Sequence, residues 1–190
     1  MLIFNQNDKI KVKKLYDYVK ENPHNYRSIK TMLREYEDDN IDMSYQVEDG
    51  STLLHLAVKL NDIKLIKLFI DSGINVNLAD YNRMAPIHFA IKNNRLDIVK
   101  VLVDNGADIE LAMELEQTPL HQAICLDEVE IVKYLVKQGA NIHMVDENNN
   151  SVLDYAIDQE NIEILKFLLD YEIDKEHKEL MQDVIKLNNK

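Results

Sequence analysis

Three histidines invite a chemical reading first. His55, His88 and His121 stand at a constant interval of 33 residues, and imidazole is the commonest metal-binding side chain. His121 also has the chain's single cysteine, Cys125, four residues on. On a helix that spacing puts both side chains on one face, where a Cys–His pair can hold zinc or activate a thiolate. The wider spacing argues the other way. Residues at so long and regular an interval stack one per structural unit along a chain and do not converge on a point. Two ligands do not close a zinc site, and no second thiol exists to help. Nothing marks an oxyanion hole or a lowered thiol pKa. A Gly-rich phosphate loop and a serine elbow are also missing from the sequence. The expectation is a protein that is not an enzyme and that takes no cofactor and no metal.

The same interval defines the elements that carry these histidines. Thr52-Leu53-Leu54-His55, Ala85-Pro86-Ile87-His88, Thr118-Pro119-Leu120-His121 and Ser151-Val152-Leu153-Asp154 are successive copies of one tetrapeptide, each 33 residues after the last. Gly73, Gly106 and Gly139 keep the same phase. Over about residues 19–174 the chain resembles the ankyrin repeat family, whose period and Thr-Pro-Leu-His signature these are. The resemblance implies an all-α repeat fold: an ankyrin-like α-solenoid of helix-turn-helix units joined by β-hairpin-like turns, with degenerate N- and C-terminal caps. It also implies that each histidine is structural, bonded to the threonine hydroxyl and to backbone near the adjacent turn. His55 has Thr52 and His121 has Thr118 for this, whereas His88 faces Ala85 and lacks the hydroxyl.

The residues support helix pairs on their own terms. In the second copy Pro86 suits the first helical turn, where its missing N–H has no intrahelical partner. Ile87, Ala90 and Ile91 then form an apolar face at helical spacing. Asn93-Asn94 breaks that helix. Leu96, Ile98, Val99, Val101, Leu102 and Val103 make a second one, apolar nearly all round, which Gly106 can cap in a left-handed conformation. The fourth copy fits with Ile162, Ile164, Leu165, Phe167 and Leu168. The expected division is one domain over 1–190, with a degenerate N-terminal repeat at 8–45 and full repeats at 46–78, 79–111 and 112–144. A last repeat at 145–174 and a C-terminal capping helix at 175–190 complete it. Asp8 is expected to N-cap the first helix, and no linker or second domain is apparent.

Composition narrows the partners. The chain carries 22 Lys plus Arg against 34 Asp plus Glu, a net charge of −12. Such a charge repels phosphate backbones and anionic membrane surfaces and steers basic proteins inward. The short apolar start Met1-Leu2-Ile3-Phe4 is no signal peptide, and no stretch approaches the roughly 20 apolar residues of a membrane span. One cysteine fits a reducing compartment. These features predict a cytoplasmic protein, or one delivered to a host cytosol by an unseen route, and a monomer when free. Its partner should be a protein, with no nucleic acid and no membrane.

The expected contact surface is the turn tips and the exposed side of each first helix, the positions the family uses. Tyr81, Arg83 and Met84 lie on the second tip, with Phe89 and Lys92 on the helix behind it. On the third tip Met113-Glu114-Leu115-Glu116 replaces the polar Asp-x-x-Gly of the family, so its geometry is expected to differ. Leu111, Met113 and Leu115 alternate there as a strand would, beside Glu114. Gln122, Leu126 and Tyr155 extend the row along the later first helices. Glu48, Asp49, Asp80, Glu114, Glu116, Asp146, Glu147 and Asp158 are candidates to concentrate acid on this face. The expected function is protein binding that inhibits or sequesters a partner, a basic one being favoured by the charge, in the manner of an immunity protein. The alternative is an adaptor or secreted effector of an intracellular bacterium or virus that recruits host proteins.

Overall fold

The computed structural model describes residues 6–39 and 41–172. Asn40 and the expected capping helix at 175–190 lie outside them. The described helices are α1 (Gln6–Glu21), α2 (Tyr26–Asp38), α3 (Leu53–Lys59), α4 (Ile63–Asp71), α5 (Pro86–Lys92) and α6 (Leu96–Asp104). They continue with α7 (Pro119–Cys125), α8 (Val129–Lys137), α9 (Val152–Asp158) and α10 (162–172). Among the described residues no strand forms, and the only β feature is an isolated bridge between Val145 and Ser151. The family's all-helical stack is what the sequence builds.

The first helices are only seven residues long, too short to hold together in water by themselves. Caps and burial hold them instead. Thr52, Thr118 and Ser151 each accept a hydrogen bond from the backbone N–H three residues on, and Pro86 and Pro119 open their helices. Ala57, Ala90, Ala123 and Ala156 are fully buried where the paired helices cross. Leu65, Ile66 and Phe69 on α4, Ile98, Val99 and Leu102 on α6, and Ile131, Val132 and Leu135 on α8 fill the continuous core. Each such side chain contributes about 1.5–3 kcal/mol on burial. Ile162, in register with the half-buried Leu96 and Val129, is instead exposed, since no later repeat within the described residues packs on it.

The turns repeat as faithfully as the helices. The residue between the helices of each pair is left-handed: Asn61, Asn94, Asp127 and Glu160 have φ of 55°, 51°, 60° and 53°. At the tips Gly50, Arg83, Glu116 and Asn149 do the same, again one repeat apart. Tips are also tied to each other. The Tyr81 N–H donates to the Asp49 carbonyl at 3.1 Å, and the Glu147 N–H to the Leu115 carbonyl at 2.9 Å. Between the second and third tips, the described residues offer no matching backbone bond, only the ion pair of Arg83 with Glu116 at 3.3 Å.

First helices of successive repeats pack more closely than second helices do, so the stack curves with α3, α5, α7, α9 and the tips on its inner side. One local expectation fails. Asp8 lies inside α1 (Gln6–Glu21) and so does not cap it.

Candidate functional site

The histidine ladder is the inner wall of the stack. His55 Nδ1 accepts from the Thr52 N–H at 3.0 Å and bonds the Thr52 hydroxyl at 2.8 Å. With Nδ1 an acceptor, the proton sits on Nε2, which donates to the Met84 carbonyl of the next tip at 3.0 Å. His88 repeats this without a hydroxyl: Nδ1 accepts from the Ala85 N–H and Nε2 donates to the Leu111 carbonyl, both at 3.0 Å. His121 bonds Thr118 likewise, but its Nε2 lies near the carbonyls of Met144 and Asn150 and forms a sound hydrogen bond to neither. All three rings are buried, and burial disfavours the imidazolium, holding each pKa below its ordinary value; for His88 it falls to about 4. Among the described residues no cluster of three His, Cys, Asp or Glu side chains is placed to hold a metal ion. No described helix is long and apolar enough to cross a membrane.

The third tip departs from its neighbours. The strand-like alternation of Leu111, Met113 and Leu115 does not make a strand; Glu114–Glu116 is a single 3-10 turn. Leu115 and Glu116 are both left-handed, with φ of 59° and 56°. Glu116 keeps the tip position that the family gives to Gly, and Leu115 adds a second strained residue, each costing about 1–2 kcal/mol without a compensating contact. The three apolar side chains therefore separate. Leu115 is 51% exposed, whereas Leu111 and Met113 are half-buried.

Met113 turns into a shallow cleft of about 310 Å3 on the inner face between the second and third repeats. Met84, Lys92, Gln122 and Leu126 line it too, so five of the sequence-predicted contact residues converge there. Cys125 and Gln117 complete the lining. The Cys125 thiol is pushed up by burial, so it stays protonated and is a poor nucleophile. Gln122 is nearly buried, and its Oε1 has no hydrogen-bond partner.

The other predicted residues lie around this cleft. Tyr81, 71% exposed, and Arg83 stand on the second tip, with Glu114 and Leu115 on the third. Phe89 is half-buried one repeat earlier, edge-on to His55 and under the Lys59 ammonium at 4.6 Å. The Leu111 carbonyl serves His88. The Tyr155 hydroxyl is occupied: it donates to Asp146 Oδ2 and accepts from Gln117 Nε2, both at 2.7 Å. The Tyr155 bond, with help from the Asn150 backbone, lowers Asp146 to about 2. Burial, and then the same Asp146 bond, push Tyr155 up to about 12.

Acid on the tips is thinner than its residue count suggests. Asp80 and Asp146 are buried, their carboxylates accepting backbone N–H bonds from Asn82 and Met84, and from Asn148 and Asn150. Glu116 pairs with Arg83, Asp49 lies 3.7 Å from Lys59, and Glu48 3.4 Å from Lys13. Glu114, Glu147 and Asp158 remain exposed. Gln117 is the cleft residue that the sequence did not single out, whereas Cys125 stands with Gln122 and Leu126 in the row of first-helix contact positions. The column through Leu56, Phe89, Gln122 and Tyr155 would have pointed to the cleft.

With helix pairs, left-handed turns and histidine ladder all in one register, the chain belongs to the ankyrin-repeat family; the model for ankyrin repeats (3 copies) matches residues 15–113 and 110–179. Such repeats are in general protein-binding modules. Human transient receptor potential cation channel subfamily A member 1 is 36% identical over 59 residues, 30% of this chain. The chain spans only 5% of that protein's length.

Proposed function

We propose that the chain binds a protein partner with its inner face, centred on the cleft between the second and third repeats, and acts by occupying that partner. The observation that carries this reading is the gathering of Met84, Lys92, Met113, Gln122 and Leu126 around one apolar cleft on a preorganised scaffold. A rigid surface loses little conformational entropy on binding, which favours tight, blocking complexes. A net charge of −12 favours a basic target, with Glu114 and Glu147 at the rim acting on encounter more than on retention. The role is therefore that of a small acidic inhibitor or sequestering protein, working in the cytoplasm.

The test is capture by the wild type, by a Met113→Asp/Leu126→Asp variant, and by Lys67→Glu on the outer helix α4. A protein held by the first and third baits and lost by the second, with an association rate that falls as salt rises, is the expected result. Equal capture by all three overturns the assignment of the face. A salt-independent rate removes the basic partner.

A further inference from the structure

The cleft has a cause that the repeat register exposes. Residues 56, 89, 122 and 155 occupy one position in successive repeats and hold Leu, Phe, Gln and Tyr. Residues 59, 92, 125 and 158, three further along each first helix, hold Lys, Lys, Cys and Asp. Lys59 is engaged on three sides. Its ammonium donates to Ser51 Oγ at 3.0 Å, lies 3.7 Å from Asp49 Oδ2, and stands 4.6 Å over the Phe89 ring of the next repeat. Lys92 is the same residue one repeat on, and all three partners are gone. Met84 replaces the serine, Asn82 the aspartate and Gln122 the phenylalanine. Between the rings of Phe89 and Tyr155 the column is interrupted at Gln122, the cleft lies at that interruption, and Lys92 lines it. A lysine here reaches over the next repeat, as Lys59 does over Phe89, which puts the Lys92 ammonium within range of the cleft. Among the described residues no hydrogen bond, ion pair or ring contact holds that ammonium.

We infer that the cleft takes from the partner one apolar side chain with a carboxylate beside it, the apolar group seated among Met84, Met113 and Leu126 and the carboxylate paired with Lys92. The inference rests on the protein-binding reading above and names what that face recognises. The lining selects both halves. Thioethers adapt to apolar groups of varied shape, and Leu126 adds apolar surface. Lys92 is the one charged side chain of the lining, so the cleft repels a lysine or arginine anchor and favours an anion. A phosphate would want several donors, and no arginine or second cation lines the cleft. A carboxylate is matched by one ammonium. The acid and base of this face also stand at opposite ends. Met84 and Met113 line the cleft from the tips, where Glu114 is exposed, whereas Lys92, Cys125 and Leu126 line it from the C-terminal ends of α5 and α7. A partner that is basic overall can therefore set its cations over the tips and one carboxylate on Lys92.

The chain has seven methionines, so methyl-13C methionine labelling gives a sparse NMR spectrum in which Met84→Leu and Met113→Leu identify the two in the cleft. Three small probes are titrated. N-acetyl-leucine carries its carboxylate at a chain terminus, N-acetyl-Leu-Glu-amide carries it on a side chain, and N-acetyl-leucinamide has none. Both acids should shift the Met84 and Met113 methyls saturably, with dissociation constants on the order of 1–10 mM for such small ligands. The amide should bind about three- to fivefold more weakly, the range of an exposed ion pair, and the difference should fade at about 500 mM salt. Lys92→Gln should bring the acids down to the affinity of the amide, and Lys59→Gln should leave the preference in place. The tighter of the two acids names the source of the carboxylate. Absence of saturable shifts at these methyls overturns the inference, as do equal affinities for acids and amide, or a preference that survives Lys92→Gln. The two proposals fail separately. Capture lost by the face variant, with no preference for the acids, removes only the carboxylate; a preference for the acids, with capture unaffected by the face variant, removes only the partner-binding reading.

Discussion

Lowering the pH should unfold this protein in two separable stages, and His88 governs the first. Its Nδ1 must accept the Ala85 N–H while Nε2–H serves the Leu111 carbonyl, so the native ring has to be neutral. Burial drives its pKa from an ordinary 6.5 to about 4. A depressed native pKa means that the unfolded chain takes up the proton first. The stabilisation is therefore complete above about pH 6.5 and is lost as pH falls towards 4. At about 1.4 kcal/mol per pH unit, that interval amounts to roughly 3 kcal/mol from His88 alone. His55 and His121 are lowered too and act in the same direction. Glu110, raised by its own burial, opposes them in part. Only below the ordinary carboxylate range, down to about 2, should Asp146 add the second stage, as its bond from Tyr155 is lost. The assay is urea unfolding at a series of pH values, with the His88 ring followed by NMR in the folded protein. A native His88 midpoint near 6.5, or stability that is flat from about pH 7 to pH 5, would refute the argument.

Comparing His88→Ala with His121→Ala by thermal melting should show the greater loss at His88. Both of its ring nitrogens are satisfied, at about 1–3 kcal/mol for the buried partners left behind, whereas His121 Nε2 has no sound bond to lose. Zinc and chelators should leave both melting curves in place. Leu115→Asn should raise the melting temperature by the equivalent of about 1 kcal/mol, since asparagine tolerates the left-handed backbone there and half of the leucine side chain is already in water; a loss typical of a core deletion would show that Leu115 packs inside. Gly50→Ala should destabilise more than Gly106→Ala. Both have positive φ, but a Cβ at Gly50 would lie 2.5 Å from the Tyr81 backbone nitrogen, whereas one at Gly106 meets nothing within 4 Å.

Much of the fold was legible because one period controlled several independent choices. Pro86 and Pro119, the glycines 33 apart and the buried alanines each demand a particular local geometry, and all of them agree. The third tip was less legible. Loss of Gly at Glu116 left open whether the backbone would keep its left-handed turn, and the structure keeps it while adding another at Leu115. The tip aspartates misled in a different way. A carboxylate in sequence counts as surface charge, yet Asp80 and Asp146 spend theirs on backbone N–H groups inside the turn. The cleft was partly legible: its apolar tip residues stood out singly, but the interruption that joins them requires four repeats read as one column.

The link between the second and third tips has a mechanical consequence. Backbone hydrogen bonds join the first tip to the second and the third to the fourth, whereas an exposed ion pair spans the interval between those two pairs. Such a pair is weak and screened by salt. The His88 bond to Leu111, the Asn77 bonds to Gly106 and Asp108 and the packing of α5 on α7 still join these repeats, so added salt should loosen only the outer edge of the tips there and leave the helical stack intact. A partner seated in the cleft would bridge the two tips and should tighten that edge.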